Sequence, residues 1–217
     1  MNRAIQGVIF DLDGVIVSTD DCHYLAWKRM ADEEAIPFDQ QINERLRGVS
    51  RMDSLEIILE KAACEYTQAE KEALAARKNS YYVELIGKLN SKDILAGALE
   101  TIDFLKKRKI KVAIGSSSRN TPIILKRLGL ENAFDAVADG NSISKSKPDP
   151  EVFLLAAKLM GLEPAHCLVV EDADAGVRAA LAGGMMVLGL GSASANPSAT
   201  FNAENLQKAN FEIILNY

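Results

Sequence analysis

Four places in the chain carry side chains that could do chemistry together: Asp11-Leu12-Asp13-Gly14, Ser116, Lys147-Pro148 and Glu171-Asp172. Asp11 and Asp13 are two residues apart, so on an extended chain their carboxylates face the same side. With Asp172 they offer the hard oxygen ligands that Mg2+ takes while keeping positions open for water or substrate. Glu171 adjoins them, so the candidate metal set is Asp11, Asp13, Glu171 and Asp172. Asp11 could attack phosphorus and form an aspartyl phosphate. Asp13 would give a proton to the leaving group and take one from the next acceptor. Lys147 adds a point charge for the transferring phosphoryl oxygens, and Ser116 adds hydroxyl and backbone donors. The candidate catalytic set is therefore Asp11, Asp13, Ser116 and Lys147. A lone DxDG is more often a turn or a calcium-loop fragment; four matching groups at successive strand ends favour phosphoryl transfer.

Those groups need a sheet to position them. Residues 5–10 (IQGVIF) form an apolar run that meets a polar turn, which reads as a buried strand. Runs at 111–115, 167–170 and 185–190 read the same way, with shorter candidates at 134–138 and 211–215. Helix-length segments lie between them at 98–109, 121–128, 150–160 and 173–182. This alternation predicts an α/β fold with a doubly wound, mostly parallel, Rossmann-like core sheet, in which sites lie at the carboxyl ends of the strands.

One interval breaks the alternation. From 19 to 89 every strong segment is helical: 19–34, 39–47, 51–62 and 68–89, with Thr19 and Thr67 as N-cap candidates. The expectation is an α-helical cap inserted after the first strand, with the core at 1–15 and 92–217 and the cap at 16–91. The stretch GSASANPSA at 191–199 reads as a surface loop.

Composition sets the limits. The chain has 217 residues, 48% of them hydrophobic, which suits a core domain with a modest insertion. Its net charge of −5, without a long Lys/Arg run, argues against a nucleic-acid or membrane-surface binder. Cys22, Cys64 and Cys167 form no CxxC pair and suit reduced thiols. The start MNRAIQGVIFDLDG places acids where the apolar core of a signal peptide would continue, so a cytoplasmic protein is expected.

FDLDGV at 10–15, Ser116, Lys147-Pro148 and Glu171-Asp172 together resemble the four motifs of the haloacid dehalogenase superfamily, over essentially the whole chain. Asp13 is similar to the phosphotransferase branch, since dehalogenases lack this second aspartate. HYLAW at 23–27, NERLRGVSRMDSLEIIL at 43–59, ARKNSYYVELI at 76–86, GSSSRN at 115–120 and SKPDPEVF at 146–153 further resemble the bacterial β-phosphoglucomutases. That resemblance implies a substrate-gripping loop at Gly48, Val49, Ser50 and Arg51, with Ser54 and Lys78 beside it. It implies Ser117, Ser118, Arg119 and Asn120 as core-side contacts, His23 as a substrate-site residue supporting Asp13, and Trp27 with it; Thr19 would lie at the cap hinge. It also implies Mg2+, glucose 1,6-bisphosphate as phosphorylating primer, a small sugar phosphate as substrate, and a monomer. Ser18, Arg47 and Ser117 stand where that family usually has Asp, Lys and Ala. Without the resemblance, RGVSR reads as an ordinary helix–helix connection, His23 as a surface residue as readily as a functional one, and Trp27 as packing.

Overall fold

The computed structural model describes residues 4–46 and 49–217. Arg47 and Gly48, one flagged as a departure and the other expected in the gripping loop, lie outside the described residues. The chain divides into two compact units, one of residues 1–18 and 90–217, the other Thr19–Leu89. The crossings fall slightly inside the limits expected for the cap. Val17 explains the first, since it bridges to Asp13 and to Ile94 within the larger unit.

Among the described residues the larger unit has six strands: β1 (Gly7–Phe10), β2 (Lys111–Gly115), β3 (Ala136–Ala138), β4 (Cys167–Glu171), β5 (Met186–Gly189) and β6 (Phe201–Asn202). All are parallel, in the order β3-β2-β1-β4-β5-β6. β1 and β4 are buried along their whole length. Helices cover both faces of such a sheet, which is why GVIF and CLVVE read as continuous apolar runs and not as alternating ones. Phe10 pairs with both Ile114 and Val170, so Asp11 leaves the sheet level with Gly115 and Glu171. The winding direction reverses between β1 and β4, where a crevice opens at the carboxyl ends.

The helices, in chain order, are α1 (Asp20–Glu33), α2 (Gln40–Glu44), α3 (Arg51–Leu59) and α4 (Gln68–Ile86) in the helical unit. They continue as α5 (Ala98–Lys107), α6 (Thr121–Leu128), α7 (Glu151–Met160), α8 (Asp174–Ala182) and α9 (Phe211–Leu215) in the α/β unit. Val152, Phe153, Ala156, Ala157 and Met160 make one stripe on α7, and pack with Ile9, Ala113, Val169, Val177 and Val187. The helical unit has its own core of Trp27, Met30, Phe38, Leu55, Ile58 and Leu74. None of the described helices is long and apolar enough to cross a membrane. Cys22, Cys64 and Cys167 are free thiols.

Two local expectations change, and one strand is unforeseen. The run at 211–215 is α9 and not a strand: Asn210 accepts from Ile213 N–H, and Phe211 and Ile214 bury a helical spacing of three. The two-residue β6 carries no apolar run that would mark it. Thr67 forms a full capping box with Glu70, whereas Thr19 gives α1 no side-chain cap. Its hydroxyl instead accepts a hydrogen bond from Tyr82 Oη at 3.0 Å.

Candidate active site

Asp11 follows β1 directly, and its N–H donates to Val170 O at 2.9 Å, one rung beyond the strand. The chain then folds back on itself. Gly14 N–H donates to Val17 O, and the N–H groups of Ile16 and Val17 both donate to Leu12 O. Gly14 takes a φ of +75°, and a Cβ there would lie 2.1 Å from Asp172 Oδ2. Glycine thus closes the turn and lets the Asp172 carboxylate come up against it.

Lys147 Nζ donates to Asp11 Oδ1 at 2.7 Å and also to Glu171 Oε1. It lies 4.7 Å from the centre of the Phe153 ring. Burial alone would lower the pKa of this lysine. The charges of Asp11 and Glu171, and the hydrogen bonds they accept, outweigh that, so its pKa is raised and it stays an ammonium. Glu171 is 1% exposed. Burial pushes its carboxyl above the usual range, Lys147 opposes this, and Asp11 adds to it. Ala173 N–H donates to Glu171 Oε2 at 2.9 Å.

Among the described residues, ligand oxygens of Asp11, Glu171 and Asp172 all lie within 4.8 Å of one another. Three hard anionic oxygens at one strand-end crevice fit Mg2+ and leave positions for water or substrate. The Asp13 carboxylate stands outside this group, three residues past the end of β1, where Asp13 bridges to Val17.

Ser116 follows β2 directly and is buried. Its Oγ accepts from Ser118 N–H at 3.1 Å, Ser118 Oγ accepts from Asn120 N–H at 3.2 Å, and Thr121 Oγ1 donates to Ser118 O at 2.9 Å. These hydroxyl turns curl the loop at the end of its strand. Ser117 Oγ accepts weakly from Lys147 N–H at 3.4 Å, tying the serine loop to the lysine loop. Ser117 and Ser118 are half-buried, Arg119 is exposed and Asn120 buried.

Three supporting residues carried no signal in the sequence. Glu151 accepts from Ser144 N–H, Ser144 Oγ and Lys145 N–H at 2.8–3.0 Å, holding the segment ahead of Lys147. The Ser144 N–H bond comes first among the contacts that keep its carboxyl below the ordinary range. Ser192 Oγ donates to Asp172 O at 2.6 Å, so the stretch read as a plain surface loop steadies a candidate metal ligand. Tyr82, paired with Thr19, is the third.

Within the helical unit, Lys78 on α4 is 2% exposed. Its Nζ lies 2.9 Å from His23 Nδ1 and 4.7 Å from the ring centres of Trp27 and Tyr82. The His23 and Tyr82 ring centres are 4.1 Å apart. An ammonium only donates, so Nδ1 accepts and the imidazole proton sits on Nε2. Burial, then the charges of Lys78 and Arg51, hold the His23 pKa well below 6.5. Trp27 is buried in the helical core and its ring backs Lys78. Arg51 opens α3 behind Ser50, whose Oγ accepts from Asp53 N–H and donates to Asp53 Oδ2. Val49 and Ser50 are half-buried and Ser54 is buried. The fold thus gathers His23, Trp27, Lys78 and Tyr82 into one cluster of a lysine among aromatic rings.

The family description "haloacid dehalogenase-like hydrolase" matches residues 5–184. The β-phosphoglucomutase of Bacillus subtilis (strain 168) is 47% identical over 189 residues, covering 86% of this chain and 84% of that protein. The fructose-1-phosphate phosphatase of Escherichia coli (strain K12) is 33% identical over 189 residues, covering 85% and 96%. The crystal structure of β-phosphoglucomutase from Clostridium difficile superposes with a TM-score of 0.89 at 38% identity, covering 97% of this chain and 95% of that one. With a parallel sheet, paired aspartates after β1 and a lysine bound to the carboxylates at the β1–β4 crevice, the chain belongs to the haloacid dehalogenase-like hydrolase family.

Proposed function

We propose that the chain is a β-phosphoglucomutase, interconverting β-D-glucose 1-phosphate and D-glucose 6-phosphate through an aspartyl phosphate and a glucose 1,6-bisphosphate intermediate. The observation that carries this reading is a second enclosed lysine. The α/β unit has Lys147 against Asp11, and the helical unit has the buried Lys78, hydrogen-bonded to a neutral His23. A sugar bisphosphate needs two phosphate grips; hydrolysis of a monoester needs one. The 47% identity to the Bacillus subtilis mutase points the same way.

Asp11 takes a phosphoryl group from the glucose 1,6-bisphosphate primer: an Oδ–P bond forms and the sugar O–P bond breaks. Asp13 protonates the departing sugar oxygen. In the productive direction the free hydroxyl of the sugar monophosphate loses its proton to Asp13 and attacks the phosphorus, and Asp11 leaves as a carboxylate. The bisphosphate then presents its other phosphate to Asp11, and Asp13 returns its proton to the sugar oxygen released. Lys147 and Ser116 hold the transferring oxygens, while Ser118, Arg119 and Asn120 hold the remaining phosphate from the core side. Arg51, with Ser50, Val49, Ser54 and Lys78, is assigned the grip from the helical unit. Asp11, Glu171 and Asp172 would hold Mg2+, which when bound would supply positive charge against the phosphoryl oxygens.

A phosphatase of the same architecture would share Asp11, Asp13 and Lys147 and let water into the second half-reaction; the 33% identity to the fructose-1-phosphate phosphatase favours this second reading. Supplying β-glucose 1-phosphate, Mg2+ and a trace of bisphosphate separates the two. Glucose 6-phosphate should be the main product. Free phosphate in its place would sink the mutase reading.

A further inference from the structure

β2 and β3 pair in parallel with Gly115 opposite Ala138 as the last rung. Beyond it the two chains stay zipped together. Ser116 N–H donates to Ala138 O at 3.0 Å and Gly140 N–H donates to Ser118 O at 3.1 Å. Asn141 Nδ2 then donates to Arg119 O at 2.9 Å. This third rung is made by a side chain, and that side chain is itself aimed. The buried Asp139 accepts from Asn141 N–H at 2.9 Å, from Asn141 Nδ2 at 3.1 Å and from Ser142 Oγ at 3.3 Å. Both neighbours of the amide nitrogen are oxygens that only accept, which fixes the orientation of the Asn141 amide. Gly140 lets the backbones meet: a Cβ there would lie 2.3 Å from Ser117 O and 2.9 Å from Arg119 N.

We infer that Asn141 is a positioning residue for the substrate's phosphate. Its amide, aimed by Asp139, fixes the main chain of Arg119 and with it the presentation of residues 118–120. This rests on the reading of Ser118, Arg119 and Asn120 as phosphate contacts given above. The hydroxyl bonds of Ser116 and Ser118 lie within the loop and travel with it. Asn141 ties the loop to a different strand end. Without it the Arg119 carbonyl turns to water, and ordering the loop is charged to ligand binding. Turnover at saturation, which depends on Asp11, Asp13 and Lys147, is left alone.

The test compares wild type, Asn141→Ala and Gly140→Ala as full chains with Mg2+. Glucose 6-phosphate binding is read by titration calorimetry, and steady-state kinetics are run on β-glucose 1-phosphate and on p-nitrophenyl phosphate. Asn141→Ala should weaken glucose 6-phosphate binding and raise KM for the sugar phosphate about five-fold, as loss of one hydrogen bond implies, with kcat and p-nitrophenyl phosphate turnover little changed. Gly140→Ala should shift both further in the same direction. An unchanged dissociation constant in Asn141→Ala overturns the inference, as does an equal loss on p-nitrophenyl phosphate. A wild type that releases phosphate and makes no mutase product sinks the proposed function yet leaves the binding comparison readable. A wild type that does not bind glucose 6-phosphate overturns both.

Discussion

Lys147 Nζ stands 2.7 Å from Asp11 Oδ1 while also donating to the buried Glu171. One ammonium thus serves the candidate nucleophile and a candidate metal ligand together. Lys147→Ala removes the charge that meets the transferring phosphoryl group, which implies a loss of about 100- to 1,000-fold in kcat. It also leaves Glu171 buried without its cation, at about 3–5 kcal/mol of stability. Steady-state kinetics and urea denaturation read the two losses separately. A folded variant with near-normal kcat would make the lysine purely structural.

Gly14 offers a cleaner route to the metal. Its φ of +75° makes Gly14→Ala strained by about 1–2 kcal/mol. The added Cβ would fall 2.1 Å from Asp172 Oδ2, so the carboxylate must swing away. The Mg2+ concentration for half-maximal activity should rise roughly 10- to 100-fold, as when the support of a metal ligand is lost. A magnesium titration of activity checks this, and an unchanged midpoint would remove Asp172 from the metal set.

The legible parts of this molecule are those whose reason is local. β1 and β4 are buried on both faces, so GVIF and CLVVE could be read directly, and Asp11, Gly14 and Glu171 follow from the strand ends. The five residues from Phe211 are too short a run to tell helix from strand; the Asn210 cap decides it, leaving Ile213 65% exposed. β6 ends in a polar Asn202 and needs only the edge of β5 to form. The Tyr82–Thr19 bond spans 63 residues and the Lys78–His23 contact 55. No spacing rule reaches that far. The same holds for Asn141, whose partner Arg119 is brought to it by the pairing of β2 with β3.

The Tyr82–Thr19 bond should be measurable on its own. Tyr82 is 1% exposed and its hydroxyl donates to Thr19 Oγ1. Tyr82→Phe keeps the ring against His23 and Lys78 and removes only the donor, so it should destabilise the protein by about 1 kcal/mol. Combined with Thr19→Val in a double-mutant cycle, the second change should then add less than it does alone. Strict additivity in thermal denaturation would mean that the bond contributes nothing.

His23 ties stability to pH. Its folded pKa lies well below 6.5, its ordinary value, because of burial and then the Lys78 and Arg51 charges. Between those two values the unfolded chain carries a proton on His23 that the folded protein does not. Acidification through that window therefore favours unfolding, and the stability is fully present above pH 6.5. The slope is limited to about 1.4 kcal/mol per pH unit for one group. Glu34, Glu70 and Glu151 are held below 4.5 in the fold, so their own loss of stability comes at more acidic pH. The carboxyl pKa of Glu171 is raised in the fold, so denaturant unfolding at pH 5.5 and 7.5 is compared between wild type and His23→Asn to isolate the histidine. The wild type should be less stable at pH 5.5, and His23→Asn should flatten that difference. An equally steep fall in the variant would place the titration elsewhere.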